Sequence, residues 1–121
     1  PNIVNVSTII GKSATVALSS TSATVLVSNA ASSGKVFKIN MIQVANVDGT
    51  SAADVTVDMH SAATGGGTAY SLASTVTVPA NASIVIIDKN TSVYLEEARS
   101  ITATASAAND LEVVISYEEI N

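Results

Sequence analysis

ADVTVDM, residues 53–59, alternates without a break. Val55, Val57 and Met59 fall on one side, and Asp54, Thr56 and Asp58 on the other. A period of two belongs to a strand with one buried face and one wet face. A helix would send Val55 and Val57 to nearly opposite sides.

The signature recurs in both directions. Toward the amino terminus, Lys35–Val47 (KVFKINMIQVANV) starts with Phe37, Ile39 and Met41 on one side. The alternation then slips at Met41-Ile42, and Ile42 and Val44 take over, which a β-bulge or a change of sheet would absorb. Ala23–Ser28 and Ala14–Leu18 precede it, divided by Ser19–Ser22, with a turn over Asn29–Gly34. Asn2–Ile10 opens the chain with a β-branched run that Gly11-Lys12 closes.

Toward the carboxy terminus, Ser61–Thr68 holds the triplet Gly65-Gly66-Gly67 and is the loop with the most conformational freedom. Leu72–Val78 is a strand ended by Pro79, which cannot donate to a ladder. Ser83–Ile87 is apolar on both faces, as in a strand covered on two sides or lying at an interface. Val93–Leu95 leads into a charged bend at Glu96–Ser100. Ile101, Ala103 and Ala105 alternate with Thr102 and Thr104, and Leu111, Val113, Ile115 and Tyr117 with Glu112, Ser116 and Glu118. Nine or ten short strands at even spacing predict an all-β fold. The expected architecture is one antiparallel β-sandwich over residues 1–121, jelly-roll-like.

Composition agrees. Val, Ile and Thr make up about a third of the 121 residues, and such side chains suit a pleated surface. The absence of cysteine excludes disulfides and thiolate metal sites. A net charge of −5 argues against a phosphate-backbone partner, so no nucleic acid is expected. No window approaches the roughly 18 apolar residues of a membrane span, so no membrane is expected either. Residues 1–10 lack a basic, then apolar, secretory pattern. Pro1 reads as the residue left after removal of an initiator methionine in a cytoplasm.

Chemistry finds little support. His60 is the sole histidine and stands at a strand end, where it reads as a solvated loop residue. No serine sits in a nucleophile-elbow context. The glycine triplet has no lysine and no helix after it, as a phosphate loop requires. Asp54 and Asp58 lie about 13 Å apart along one strand, too far for one ion, and Asp48 belongs to a turn. The expectation is a protein that is not an enzyme, with no catalytic, cofactor-binding or metal-binding residue. Phe37, Tyr70, Tyr94 and Tyr117 are the only aromatics, few for a ligand pocket.

What stands out is a surface poor in charge. Only 12% of residues are charged, against about 25% in an ordinary domain. Contact surfaces are depleted in charge at their centres. Ile84 and Ile86 of the two-faced run are therefore expected at a protein interface. So are Ile3, Val4 and Val6, with residues 1–10 forming an extended arm between subunits or, equally, an ordinary first strand.

Three groups of stretches resemble a small virion structural protein of tailed phages that infect marine cyanobacteria. They are NIVNVSTIIGK at the amino terminus, ASSGKVFKIN with VANVDGTSAADVTVD in the middle, and TSVYLEE with DLEVVISYEEI at the end. The resemblance covers about residues 2–120. It departs at Glu96–Ser100, where a glycine-containing turn is expected, and at Ser61–Thr68, which is longer. It implies a virion structural role and carries over no catalytic residue. The expected function is capsid decoration: a cement protein on the major capsid protein or other virion proteins. It would form a homo-oligomer, a trimer being favoured, on a particle assembled in the host cytoplasm. The alternatives are a tail, collar or fibre component, and a carbohydrate-binding sandwich module with aromatics gathered on one face.

Overall fold

The alternating segments become nine strands among the described residues, which are 2–121 of a computed structural model. They are β1 (Ile9–Ala17), β2 (Thr24–Asn29), β3 (Val36–Asn46), β4 (Ala53–His60), β5 (Ala69–Val78), β6 (Ser83–Ile87), β7 (Val93–Leu95), β8 (Arg99–Ala105) and β9 (Leu111–Ile120). Pro1, part of the expected arm, lies outside the described residues.

One sheet runs β1-β9-β3-β6, with β7 also on β3; the other runs β2-β8-β4-β5. β7 lies along Phe37–Ile39 of β3 and β6 along Ile42–Ala45, so the two share one position. The chain is thus a long hairpin with nested pairs: β1 with β9, β2 with β8, β3 with β7 and β6, β4 with β5. Rolling it up brings β9 onto β3 and β8 onto β4. This is the two-sheet jelly roll that the pattern predicts.

The core lies between the sheets, where Leu18, Ile39, Ile42, Leu95, Ile101, Leu111 and Ile115 are fully buried. Burying each contributes about 1.5–3 kcal/mol relative to exposure. In β3 the register against β9 shifts between Ile39 and Met41. The inward set therefore changes from Phe37 and Ile39 to Ile42 and Val44, and Met41 ends half-buried. A bulge absorbs the slip, and the strand stays in its sheet.

Two buried asparagines tie the sheets together at their ends. Asn29 of β2 donates to the carbonyls of Lys35 (3.0 Å) and Leu95 (3.1 Å), and so reaches the other sheet. Asn46 of β3 crosses the opposite way, donating to Ser51 O (2.9 Å) and Val78 O (3.0 Å). Each amide satisfies carbonyls that strand ends would leave unpaired.

Three local expectations are corrected. Gly11-Lys12 does not end a strand; both residues pair with β9 inside an unbroken β1. A Cβ at Gly11 would meet nothing, so glycine is not needed there for a turn. Long-range pairing outweighs the local turn signal. Second, Asn2–Ile10 is not one strand, since Ile3–Asn5 forms a 3₁₀ turn.

Third, the glycine loop is pinned. Thr64 N donates to Ser28 Oγ (3.0 Å), Gly65 N to Ser100 Oγ (2.8 Å), and Ser100 Oγ to the carbonyl of Ala62 (2.8 Å). The loop lies over the outer face of the second sheet and buries Ser100 and Thr102. Gly67 has φ +68, and a Cβ there would strike Ser61 Oγ. Gly67→Ala is expected to destabilise the fold by about 1–2 kcal/mol, read by urea melts, because an L-residue is strained at this φ. At the charged bend, Ala98 takes φ 58, the conformation a glycine would supply.

Candidate interaction surface

Asn2 builds the amino-terminal turn: its Oδ1 accepts from Val4 N (3.0 Å), and its carbonyl from Asn5 N (3.1 Å). No residue of the turn is buried. Val4 is 83% exposed and Ile3 53%, while Val6 is half-buried. The body of the domain begins directly after. Ser7 N and Thr8 N both donate to Asn121 O (2.6 and 3.0 Å), and Asn121 N returns a bond to Thr8 O (2.9 Å). The structure therefore sets Ile3 and Val4 outside the ladder, Val4 almost bare and Ile3 about half covered.

On β6, the two faces differ. Ile84 and Ile86 are half-buried and pack against the core, Ile84 opposite Val44. Val85, opposite Gln43, is the outward residue at 55% exposure. An apolar run reads alike on both faces in the sequence; only the pairing tells which side is outward. Further exposed aliphatics are Ile9 and Ile10 on β1.

Glu119 closes one end of the sandwich. It follows Tyr117 on the inward side of β9, and its carboxylate accepts from Lys12 Nζ on β1 (2.7 Å) and from Lys35 Nζ just before β3 (2.7 Å). The two ammonium groups hold the carboxyl below the ordinary carboxylate range. The pair with Glu119 raises Lys12 above the ordinary lysine range. One carboxylate thus joins the three strands β1, β9 and β3.

His60 is corrected from a solvated loop residue to a buried one, 8% exposed at the end of β4. Its Nε2 lies 2.8 Å from Thr102 Oγ1, and its buried Nδ1 has no partner. The aspartates are engaged separately. Asp54 accepts from Thr77 (2.7 Å) and Asp58 from Ser71 (2.7 Å). Asp48 accepts from Thr50 N and Oγ1 (both 3.0 Å), which lowers its pKa. Among the described residues, no group of three or more His, Cys, Asp or Glu side chains is placed to hold a metal ion. Among the described residues, no helix is long and apolar enough to cross a membrane.

The aromatics divide. Phe37 and Tyr117 pack together with ring centres 5.4 Å apart. The exposed Tyr70 and Tyr94 belong to different sheets, on β5 and β7.

No protein-family model and no curated protein matches the chain. Two solved structures are similar to it in fold over most of the chain. One comes from Bacillus endospore appendages, described as a novel family of disulfide-linked pili. It has a TM-score of 0.53 at 17% identity, over 93% of this chain and 88% of that one. The other comes from the acid-stable capsid of Helicobacter pylori bacteriophage KHP30. It has a TM-score of 0.52 at 10% identity, over 97% and 90%. The likeness is one of fold. It fixes the β-sandwich, and this chain, having no cysteine, cannot form the disulfides of the pili.

Proposed function

We propose that the chain is a virion structural protein of a tailed phage of marine cyanobacteria, and that it decorates the capsid. It acts as cement, docking on the major capsid protein and tying neighbouring capsomers together. The observation that carries this reading is the pair Ile3 and Val4, apolar and exposed, on a domain with only five basic and ten acidic residues. The fold shared with a phage capsid chain supports it.

Ile3, Val4 and Val6 form the docking arm. On docking the 3₁₀ turn at Ile3–Asn5 opens into an extended segment that adds to the sheet edge of its partner, its backbone giving affinity and its side chains specificity. Ile84 and Ile86 stiffen β6, which presents Val85 as a second contact. The contacts exist only in the mature lattice, so binding stabilises that lattice by mass action. The cost of immobilising each copy limits the gain per contact, and many identical copies multiply it. The chain works as a homo-oligomer, with a trimer favoured, in particles assembled in the host cytoplasm.

A tail, collar or fibre component is the second reading, favoured by the fold shared with an appendage of pilus type. A carbohydrate platform is disfavoured, because its aromatics would gather on one face and Tyr70 and Tyr94 do not. Counting copies per purified virion by quantitative mass spectrometry separates the first two. Hundreds of copies support decoration of the head; tens or fewer would place the protein in the tail or neck.

A further inference from the structure

Five strands stand at sheet edges: β1, β6 and β7 in one sheet, β2 and β5 in the other. Four of them are poor receivers of another strand. β6 and β7 are short and are divided by the turn Lys89–Thr91. β2 has a register shift between Val25 and Val27. β5 lies opposite two shifts in β4 and carries Thr75 at φ 52. Such irregularities turn an edge away from new partners. β1 alone pairs with its neighbour through nine consecutive residues, with no shift.

The side of β1 left open follows from its bonds. Thr8 and Asn121 exchange both backbone hydrogen bonds, and Leu18 N donates to Leu111 O (2.9 Å). Both pairs continue the β1–β9 register, so even-numbered residues aim N–H and C=O at β9. Ile9, Gly11, Ser13, Thr15 and Ala17 aim theirs outward. Among the described residues, no backbone bond outside the ladders engages any of the five. The usual guard of such an edge is a free lysine. The single charge on β1, Lys12, is instead held by Glu119 at 2.7 Å.

We propose that β1 pairs antiparallel with β1 of a second copy, about a two-fold axis at Ser13. In this register Ile9 stands opposite Ala17 of the second copy, Gly11 opposite Thr15, and Ser13 opposite Ser13. All five open residues of each copy are used, closing about ten backbone hydrogen bonds. Ile10, half exposed in the single chain, gains Val16 of the second copy as its cross-strand neighbour. Neighbouring registers are worse. An axis at Lys12 sets two ammonium groups directly opposite each other, and an axis at Ala14 leaves Ile9 beyond the partner strand. The contact joins two sheets into one and is independent of where on a particle the protein sits; being two-fold it closes on a pair of copies, so the favoured trimer forms through a separate surface.

Cysteine cross-linking tests the register, because the chain has no thiol of its own. Hydrogen-bonded antiparallel partners have Cα atoms about 5.5 Å apart, within disulfide reach. Ser13, Thr15 and Gly11 are all exposed on β1, and melting curves of each variant are the control for folding. Under mild oxidation of concentrated protein, most S13C is expected to become a disulfide dimer, while T15C alone stays monomeric. A mixture of G11C and T15C is expected to give the mixed dimer. S13C remaining monomeric, or T15C alone cross-linking as readily as S13C, overturns the proposal.

Discussion

Protein lacking residues 1–6 is expected to bind decoration-free particles at least about tenfold more weakly than the full chain, a loss of about 1.4 kcal/mol or more. Full burial of Ile3 and Val4 would supply about 1.5–3 kcal/mol each. Ordering the arm on docking consumes part of that. The free protein should melt within about 2 °C of the full chain, since no residue of the Ile3–Asn5 turn is buried. The cut stops at Val6 for a reason: Ser7 and Thr8 make three backbone bonds with Asn121, and losing them would fray the β1–β9 ladder. Co-sedimentation and calorimetry read the two quantities. Undiminished binding would remove the arm from the account. A lost melting transition would show that the segment belongs to the core.

Glu119→Gln is expected to lower stability at about pH 7 by about 1–2 kcal/mol. Hydrogen bonds to a charged group are each worth about 1.5–3 kcal/mol, and the exposure of both lysines reduces their net worth here. The loss depends on pH in a definite direction. Lys12 and Lys35 keep the folded carboxyl more acidic than the unfolded one, whose ordinary value is 4.5. The triad's contribution is therefore complete well above that value and disappears as pH falls through the lower, folded value. Urea melts should show the gap between wild type and variant at about pH 7, and its closure once the pH lies below the folded value. A gap of equal size at both would mean that Glu119 acts through packing and not through its charge.

Glu119 also shows what the sequence carries and what it conceals. Its inward position is legible, because it follows Ile115 and Tyr117 at a period of two. Its two lysines are not, since Lys12 and Lys35 meet it only through pairing more than eighty residues distant in the chain. The strands at Ala53–His60, Arg99–Ala105 and Leu111–Ile120 are legible for the same periodic reason, and the slip at Met41-Ile42 correctly marks a bulge. Gly11-Lys12 misleads, because a local turn signal competes with nine paired residues and loses. His60 misleads because its partner Thr102 lies on another strand, and because the loop after it is pinned although its glycines suggest freedom. Ser28 and Ser100, which fix that loop, lie on other strands. At the candidate surface, Ile3 and Val4 are exposed on a 3₁₀ turn, which a β-branched run does not announce. That Val85 faces out, while Ile84 and Ile86 lie against the core, depends on a cross-strand register that an all-apolar run cannot encode.

Hydroxyl-radical footprinting of the side chains at residues 3–6 and 85, on the free protein and on intact virions, tests the contact-making role most directly. Ile3 and Val4 are expected to be oxidised rapidly in the free protein and to become strongly protected in the virion. Equal oxidation in both states would mean that these side chains touch nothing in the particle, and would contradict that role.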